Sequence, residues 1–308
     1  MKNLFDATHK FLVFLFLGGI FSSLSGATYQ VSIGQNIAAT VSQLKPGDTV
    51  QFRGGTYSIQ MVNGIEGFYW KSGTSWSAPV RYMAYPGETV ILQSSGYRVL
   101  DFGQCCADSY IIVEGFVIDG RNIQYDTVKI NPPAHHIRLL NCEIRNSPAQ
   151  GVLVGGDYNE FLRLSVHDNG KTDLDHGIYY SGNYNLIDSC EFFRNAGWGV
   201  HKYPKGNWNI VRNTRSHDNS RLGARGAGIG FYGGTNNLLT SNIVWNNFDG
   251  IVLGYGESGS TVEGNLSCNN SNDNFQDTVK IPGGNGGSAN IFRNNSETGC
   301  KTGTPPPP

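Results

Sequence analysis

Several side chains able to move protons or meet an anion fall in one recurring slot of this 308-residue chain. The slot is a Gly followed by three alternating residues: Gly151-Val152-Leu153-Val154, Gly177-Ile178-Tyr179-Tyr180, Gly199-Val200-His201-Lys202, Gly228-Ile229-Gly230-Phe231 and Gly250-Ile251-Val252-Leu253. Thr127-Val128-Lys129-Ile130 and Thr278-Val279-Lys280-Ile281 occupy it without the Gly. The first residue after the Gly position is always Val or Ile, so that column faces a core. By period-two alternation the next column, with Lys129, Tyr179 and His201, faces solvent. Lys202 then interrupts an apolar third column, which demands either a bulge or a special partner, because Lys is almost never buried unpaired. A Lys of depressed pKa is a suitable general base, Tyr can give or take a proton, and His does both.

Charge near this slot is lopsided. From Arg194 to Arg225 there are seven basic residues (Arg194, Lys202, Lys205, Arg212, Arg215, Arg221 and Arg225) against Asp218 alone. That local +6 lies in a chain of net charge −1 and would attract a polyanion. Arg221 and Arg225 flank a long Gly-rich turn, and with His176, Tyr180 and Tyr203 they are the expected substrate contacts. Asp126, Asp173 and Asp175 could hold a hard cation such as Ca²⁺, which takes carboxylate oxygens. Arg or Lys neutralising a carboxylate, a base taking an adjacent proton and an acid serving the leaving oxygen together permit β-elimination on a uronic-acid glycan. Lys202, Tyr179, His201 and Lys129 are the catalytic candidates. The repeated His167-Asp168-Asn169 and His217-Asp218-Asn219 read as structural turns, and His135-His136 marks a strand start. No G-x-S-x-G, P-loop or H-E-x-x-H occurs.

These slots need a repeating scaffold. Asn recurs as Asn146, Asn169, Asn195, Asn219, Asn247, Asn270 and Asn295, at intervals of 23 to 28 residues. Each interval holds about three short strands, which cannot bury a face alone and must stack on neighbouring repeats. A third strand unit recurs as His136-Ile137-Arg138-Leu139 and Asn237-Leu238-Leu239. The expected architecture is all-β: a single-stranded parallel β-helix with coils of about 25 residues, one strand spacing (~4.8 Å) apart. Stacked Asn side chains would bond coil to coil. Gln35 to Leu44 is the one amphipathic helix and the expected N-terminal cap.

Composition agrees. There are 41 Gly and only 15% charged residues, which excludes a coiled coil, and 39% hydrophobic residues exclude disorder. Near-neutral charge gives no sign of nucleic-acid binding. Residues 1–27 read as a secretory signal peptide, with Lys2 and Lys10 before the apolar run Phe11 to Ile20 and small residues after it. That run is too short to span ~30 Å of hydrocarbon. A secreted monomer is expected, with residues 28–300 as the β-helix and 301–308 as a Pro-rich tail. Asn265-Leu266-Ser267, Asn269-Asn270-Ser271 and Asn294-Asn295-Ser296 have the form of glycosylation acceptors. Of six Cys, Cys142 and Cys190 lie two coils apart, too far to pair; Cys268 and Cys300 could bridge; adjacent Cys105 and Cys106 are not expected to pair.

The run Ala27 to Ser58, the segment Tyr110-Ile111-Ile112-Val113-Glu114-Gly115-Phe116 and the coil at His176 resemble secreted right-handed parallel β-helix proteins of the pectate-lyase-like superfamily. The resemblance covers most of the chain and implies a right-handed helix and a polysaccharide lyase, similar to β-helix alginate lyases. These families use Lys, Arg, Tyr or His on such an outward strand. Asp173-Leu174-Asp175-His176-Gly177-Ile178-Tyr179 looks loosely like the Asp-Pro-His region of mannuronan C5-epimerases, without the Pro. The alternatives are a polyuronate C5-epimerase and a non-catalytic carbohydrate-binding β-helix.

Overall fold

The computed structural model describes residues 26–59, 70–222, 225–278 and 290–298. Residues 28 onward wind into three parallel sheets of 11, 9 and 8 strands among the described residues. The first runs from Thr28–Val31 to Ile291–Arg293, the second from Gly55–Ser58 to Leu266–Cys268, and the third from Leu100–Phe102 to Phe275–Asp277. Each coil visits the third, first and second sheets in turn, as Val128–Ile130, His135–Leu140 and Glu143–Arg145 show. The fold is thus an all-β parallel helix. The helix Ile37–Gln43 covers one end, with Asn36 accepting from the Ala39 amide at 3.0 Å and Val41 buried.

The corners are built by one rule. A residue in the left-handed region turns the chain, and the next side chain points inward and bonds to the coil above. At the corner between the second and third sheets the pairs are Asp168-Asn169, Arg194-Asn195, Asp218-Asn219 and Asn246-Asn247. The Asn amides run coil to coil: Asn169 donates to Asn195 at 3.0 Å, Asn195 to Asn219 at 2.9 Å, and Asn219 to Asn247 at 3.1 Å. A second ladder, with Asn159, Asn185, Asn209 and Asn237, lines the corner between the third and first sheets. The corner between the first and second sheets carries a mixed one: Cys190, Thr214, Asn242, Asn265 and Asn295.

Three ladders replace the single one expected. Asn146 is the turning residue (φ 58°), so Ser147 takes the ladder place below Asn169, and Asn295 belongs to another corner. Cys142 and Cys190 are buried, free thiols, as their spacing predicted. Asn265 is a buried ladder member, which removes its sequon from use in the folded chain, while Asn269 and Asn294 are exposed.

The Gly slot and the Asn ladder are one device. A Cβ at Gly177 would meet the Asn195 amide nitrogen at 2.8 Å and the Gly199 carbonyl at 2.6 Å. Only Gly lets the strand start so close to the ladder. After it, Val128, Val152, Ile178, Val200, Ile229 and Ile251 are all fully buried and pair in register. In the last coil Phe275, not Val279, pairs with Ile251, because the large Phe275 ring packs against the core; residues 279–281 lie outside the described residues.

Two cysteine expectations need separate statements. Cys105 and Cys106 are joined in a disulfide, against expectation, because the chain bends through 103–106 and brings both thiols to one side. Cys268 is disulfide-bonded, and Cys300 lies outside the described residues, as do the first 25 residues and the 301–308 tail. Replacing Asn195 by Ala removes its own donors and takes the acceptor from the Asn169 backbone amide and from one of the two bonds of the Asn169 side chain. The loss should be about 3 kcal/mol in urea unfolding, well above that for an exposed turning residue such as Arg194→Asn.

Candidate functional site

The outward column of the third sheet is the candidate site. The register aligns Asp101, Lys129, Leu153, Tyr179, His201, Gly230 and Val252 on neighbouring strands. Tyr179 and His201 are adjacent, with ring centroids 5.2 Å apart. Lys129 lies two coils beyond Tyr179, ~10 Å along the axis.

Trp198, which the sequence reading passed over, completes this column. Its ring lies where a Gly230 side chain would be, since a Cβ there would meet Trp198 Cζ3 at 1.8 Å. It stacks on His201 with centroids 4.1 Å apart. The outward column therefore reads Tyr179, His201, Trp198, and Gly230, small where its neighbours in the column carry side chains, leaves the room for that ring. Tyr232 stands edge-on to both Trp198 and His201, while Tyr203 and the exposed Tyr255 continue the wall.

Hydrogen bonds set the protons of the two histidines. The Trp198 amide donates to His176 Nδ1 at 3.0 Å, so His176 carries its proton on Nε2. That nitrogen lies 2.9 Å from His201 Nδ1 and donates to it, which leaves the His201 proton on Nε2. His201 Nε2 is buried and has no hydrogen-bond partner among the described residues. Burial holds His176 down to about 3; burial, then His176 and Lys202, hold His201 down to about 2. Both rings are neutral in ordinary buffers. Tyr179 is half-buried, and burial, with Tyr203 adding, pushes its hydroxyl above its usual 10.

Lys202 is not in the groove. Strand alternation turns it inward, where it is fully buried and bonded to Glu257 at 2.5 Å, to the Gly206 carbonyl at 3.3 Å and to the Gly233 carbonyl. Glu257 is itself fully buried and also accepts from Asn237 at 2.7 Å and from Ser260. No substrate proton reaches that ammonium. Through Gly206, Gly233 and Glu257 the pair ties together the three successive turns that follow Lys202, Tyr232 and Gly254, so it positions the aromatic wall. Tyr180 likewise points into the core, 1% exposed, and is not a substrate contact. His176 is buried behind His201 and acts on it, while Tyr203 is exposed at the rim.

The basic stretch is mostly neutralised by acids from other coils. Arg194 pairs with Asp168, Arg212 with Asp188, Arg215 with Glu191 and Lys202 with Glu257. Arg221 and Arg225 remain exposed, Arg221 donating to the Gly170 carbonyl at 3.2 Å. The proposed Ca²⁺ ligands do not converge. Asp175 Oδ2 accepts from the Lys171 and Thr172 amides and the Thr172 hydroxyl, closing a turn. Asp126 lies 3.5 Å from Arg98, which also meets Asp101 at 3.3 Å. Among the described residues no group of three or more His, Cys, Asp or Glu could hold a metal ion. Burial pushes Asp101 up to about 6 although Arg98 and Lys129 oppose it.

Two measurements check this geometry. Glu257→Leu should cost about 3–5 kcal/mol in urea unfolding, because it strands a buried ammonium. Lys202→Met with Glu257→Leu should cost less than the single change. In ¹⁵N NMR, His176 and His201 should both show the neutral Nε2–H form at pH 5; protonation near the ordinary pKa of about 6.5 would contradict the bonded pair.

The family model described as a right handed beta helix region matches residues 114–267, half of the chain. No curated protein matches. Among solved structures, the fold is similar to the pectate lyase Pel9A, with a TM-score of 0.63 and 17% identity over 90% of this chain and 80% of that one. It is also similar to ORF18 of Geobacillus virus E2, with TM-score 0.55, 17% identity and coverage of 82% and 54%. The periplasmic alginate epimerase AlgG gives TM-score 0.54, 13% identity and coverage of 82% and 62%. The chain thus spans only part of these last two proteins. With its three parallel sheets and its 22- to 29-residue coils from Val128 to Ile251, the chain belongs to the right-handed β-helix family.

Proposed function

We propose that this protein is a polysaccharide lyase that cleaves a uronate-containing glycan, of alginate or pectate type, by β-elimination along the outer face of the third sheet. The observation that carries the reading is the hydrogen-bonded His176–His201 pair, its tautomer set, beside the half-buried Tyr179 in an outward column walled by Trp198, Tyr203 and Tyr232. An aromatic wall with few placed polar groups is the usual make-up of a ligand site.

The roles follow from the two side chains. The Tyr179 phenolate takes the C5 proton, the C4–C5 double bond forms as the C4–O4 bond breaks, and the resulting phenol returns the proton to O4. Substrate binding uncovers His201 Nε2–H, which is buried in the free protein beneath the aromatic wall, and it then donates to the substrate carboxylate, where negative charge grows in the enolate-like transition state. A neutral imidazole performs such a task when its pKa is held low. Lys129, farther along the same face, and Arg221 and Arg225 at the adjoining turn supply positive charge for a polyanion. Export of a monomer, after removal of the apolar N-terminal segment, belongs to the same proposal.

The sign of the pH dependence is determined by Tyr179. Its pKa lies above 10, so the phenolate is scarce at neutral pH and each unit of rise increases it about tenfold. Turnover of alginate or polygalacturonate, followed by the ultraviolet absorbance of the unsaturated product, should climb steadily from pH 7 towards 10. Tyr179→Phe should abolish it and His201→Ala should lower kcat by about 10²-fold or more. A profile flat above pH 7 would remove Tyr179 as the base. No unsaturated product from either polymer would remove the lyase reading. Changed uronate composition by proton NMR without chain shortening would assign epimerisation instead.

A further inference from the structure

A cavity of about 320 Å³ lies where the third sheet turns into the first, beside the coils that carry Lys129 and Leu153. Nothing in the chemistry above uses it. Pro132, Pro133 and Tyr158 give it apolar walls, and His135, His136 and Asp157 supply the polar groups.

Those polar groups are arranged rather than scattered. His135 Nδ1 and His136 Nδ1 lie 2.7 Å apart, so one donates and the other accepts. In the neutral pair this leaves one Nε2 as an acceptor and the other as a donor. Asp157 uses Oδ1 on the Asn183 amide and side chain, at 2.7 and 3.2 Å. Its Oδ2 makes no hydrogen bond among the described residues. His136 and Tyr158 are held rigid by stacking: His136 between Tyr110 and Tyr158, and Tyr158 against Tyr184 at 4.8 Å and 2°.

We propose that this cavity is a sugar subsite, taking one pyranose residue of the glycan whose reacting bond lies at His201. Apolar walls suit the C–H faces of a sugar ring, and a donor, an acceptor and a carboxylate oxygen on the lining residues suit its hydroxyls. The volume falls at the lower end of the range for small-molecule sites, as one ring requires. Along the axis the cavity lies two to three coils from His201, ~10 to 14 Å. It holds a residue some way along the chain from the reaction, and it sets a minimum length for tight binding. The inference rests on the glycan reading above.

The test uses the full chain carrying Tyr179→Phe, so that no ligand is consumed, and a length series of alginate and galacturonate oligomers from the disaccharide upward. Affinity from ligand-observed NMR should step up at the length that reaches the cavity. Adding Tyr158→Ala or His135→Ala should shrink that step by about tenfold, with unchanged circular dichroism. A length series without a step, or a step untouched in both variants, would overturn the subsite. Should the step be present while the wild-type protein yields no unsaturated product, the subsite stands and the lyase reading falls.

Discussion

The buried Asn side chain that bonds to its counterpart one coil away is the interaction on which this structure depends. A coil of three short strands has three sharp corners, and each corner leaves inward-facing amides that a core cannot satisfy with apolar groups. The Asn carboxamide offers a donor and an acceptor in line with the stacking direction, so each answers the coil below and the coil above. Asn195, for example, accepts from the Asn169 amide and donates to Asn219. Glycine at the start of the third-sheet strands leaves room for this contact. The high Gly and Asn content is therefore one structural requirement seen twice.

That regularity creates the site. Strand alternation is preserved from coil to coil because the ladders hold the register, so outward residues of successive coils become neighbours though they stand 22 to 29 residues apart. Tyr179 and His201 meet in this way. The site then adds two departures from the repeat. Trp198 leaves its corner to fill the space over Gly230, and the Lys202–Glu257 pair replaces an apolar layer in the core. Both stiffen the same place, the first by stacking on His201 and the second by tying the turns that follow Lys202, Tyr232 and Gly254.

Electrostatics follows the same geometry. In a solenoid an acid and a base one coil apart are spatial neighbours, and the chain uses this repeatedly, as Arg194 with Asp168 and Arg212 with Asp188 show. The local excess of +6 between Arg194 and Arg225 is thus largely balanced in space. What distinguishes the groove is not a strong positive field but a neutral, hydrogen-bonded histidine pair in an aromatic surround.

The sequence by itself determined the repeat, the all-β coil, the capping helix and the parity of each strand column, because these are properties of local period and of residue types that recur. It also placed Tyr179 and His201 on one face, and it marked Lys202 as an exception needing a partner. Only the tertiary structure decided what that partner is, since Glu257 stands 55 residues away. The same holds for the corner assignment of Asn146 and Asn295, the bond between Cys105 and Cys106, and the place of Trp198 over Gly230. Each turns on where a side chain points after a corner, and one residue of phase at a left-handed turn decides whether it enters the core, the groove or the solvent.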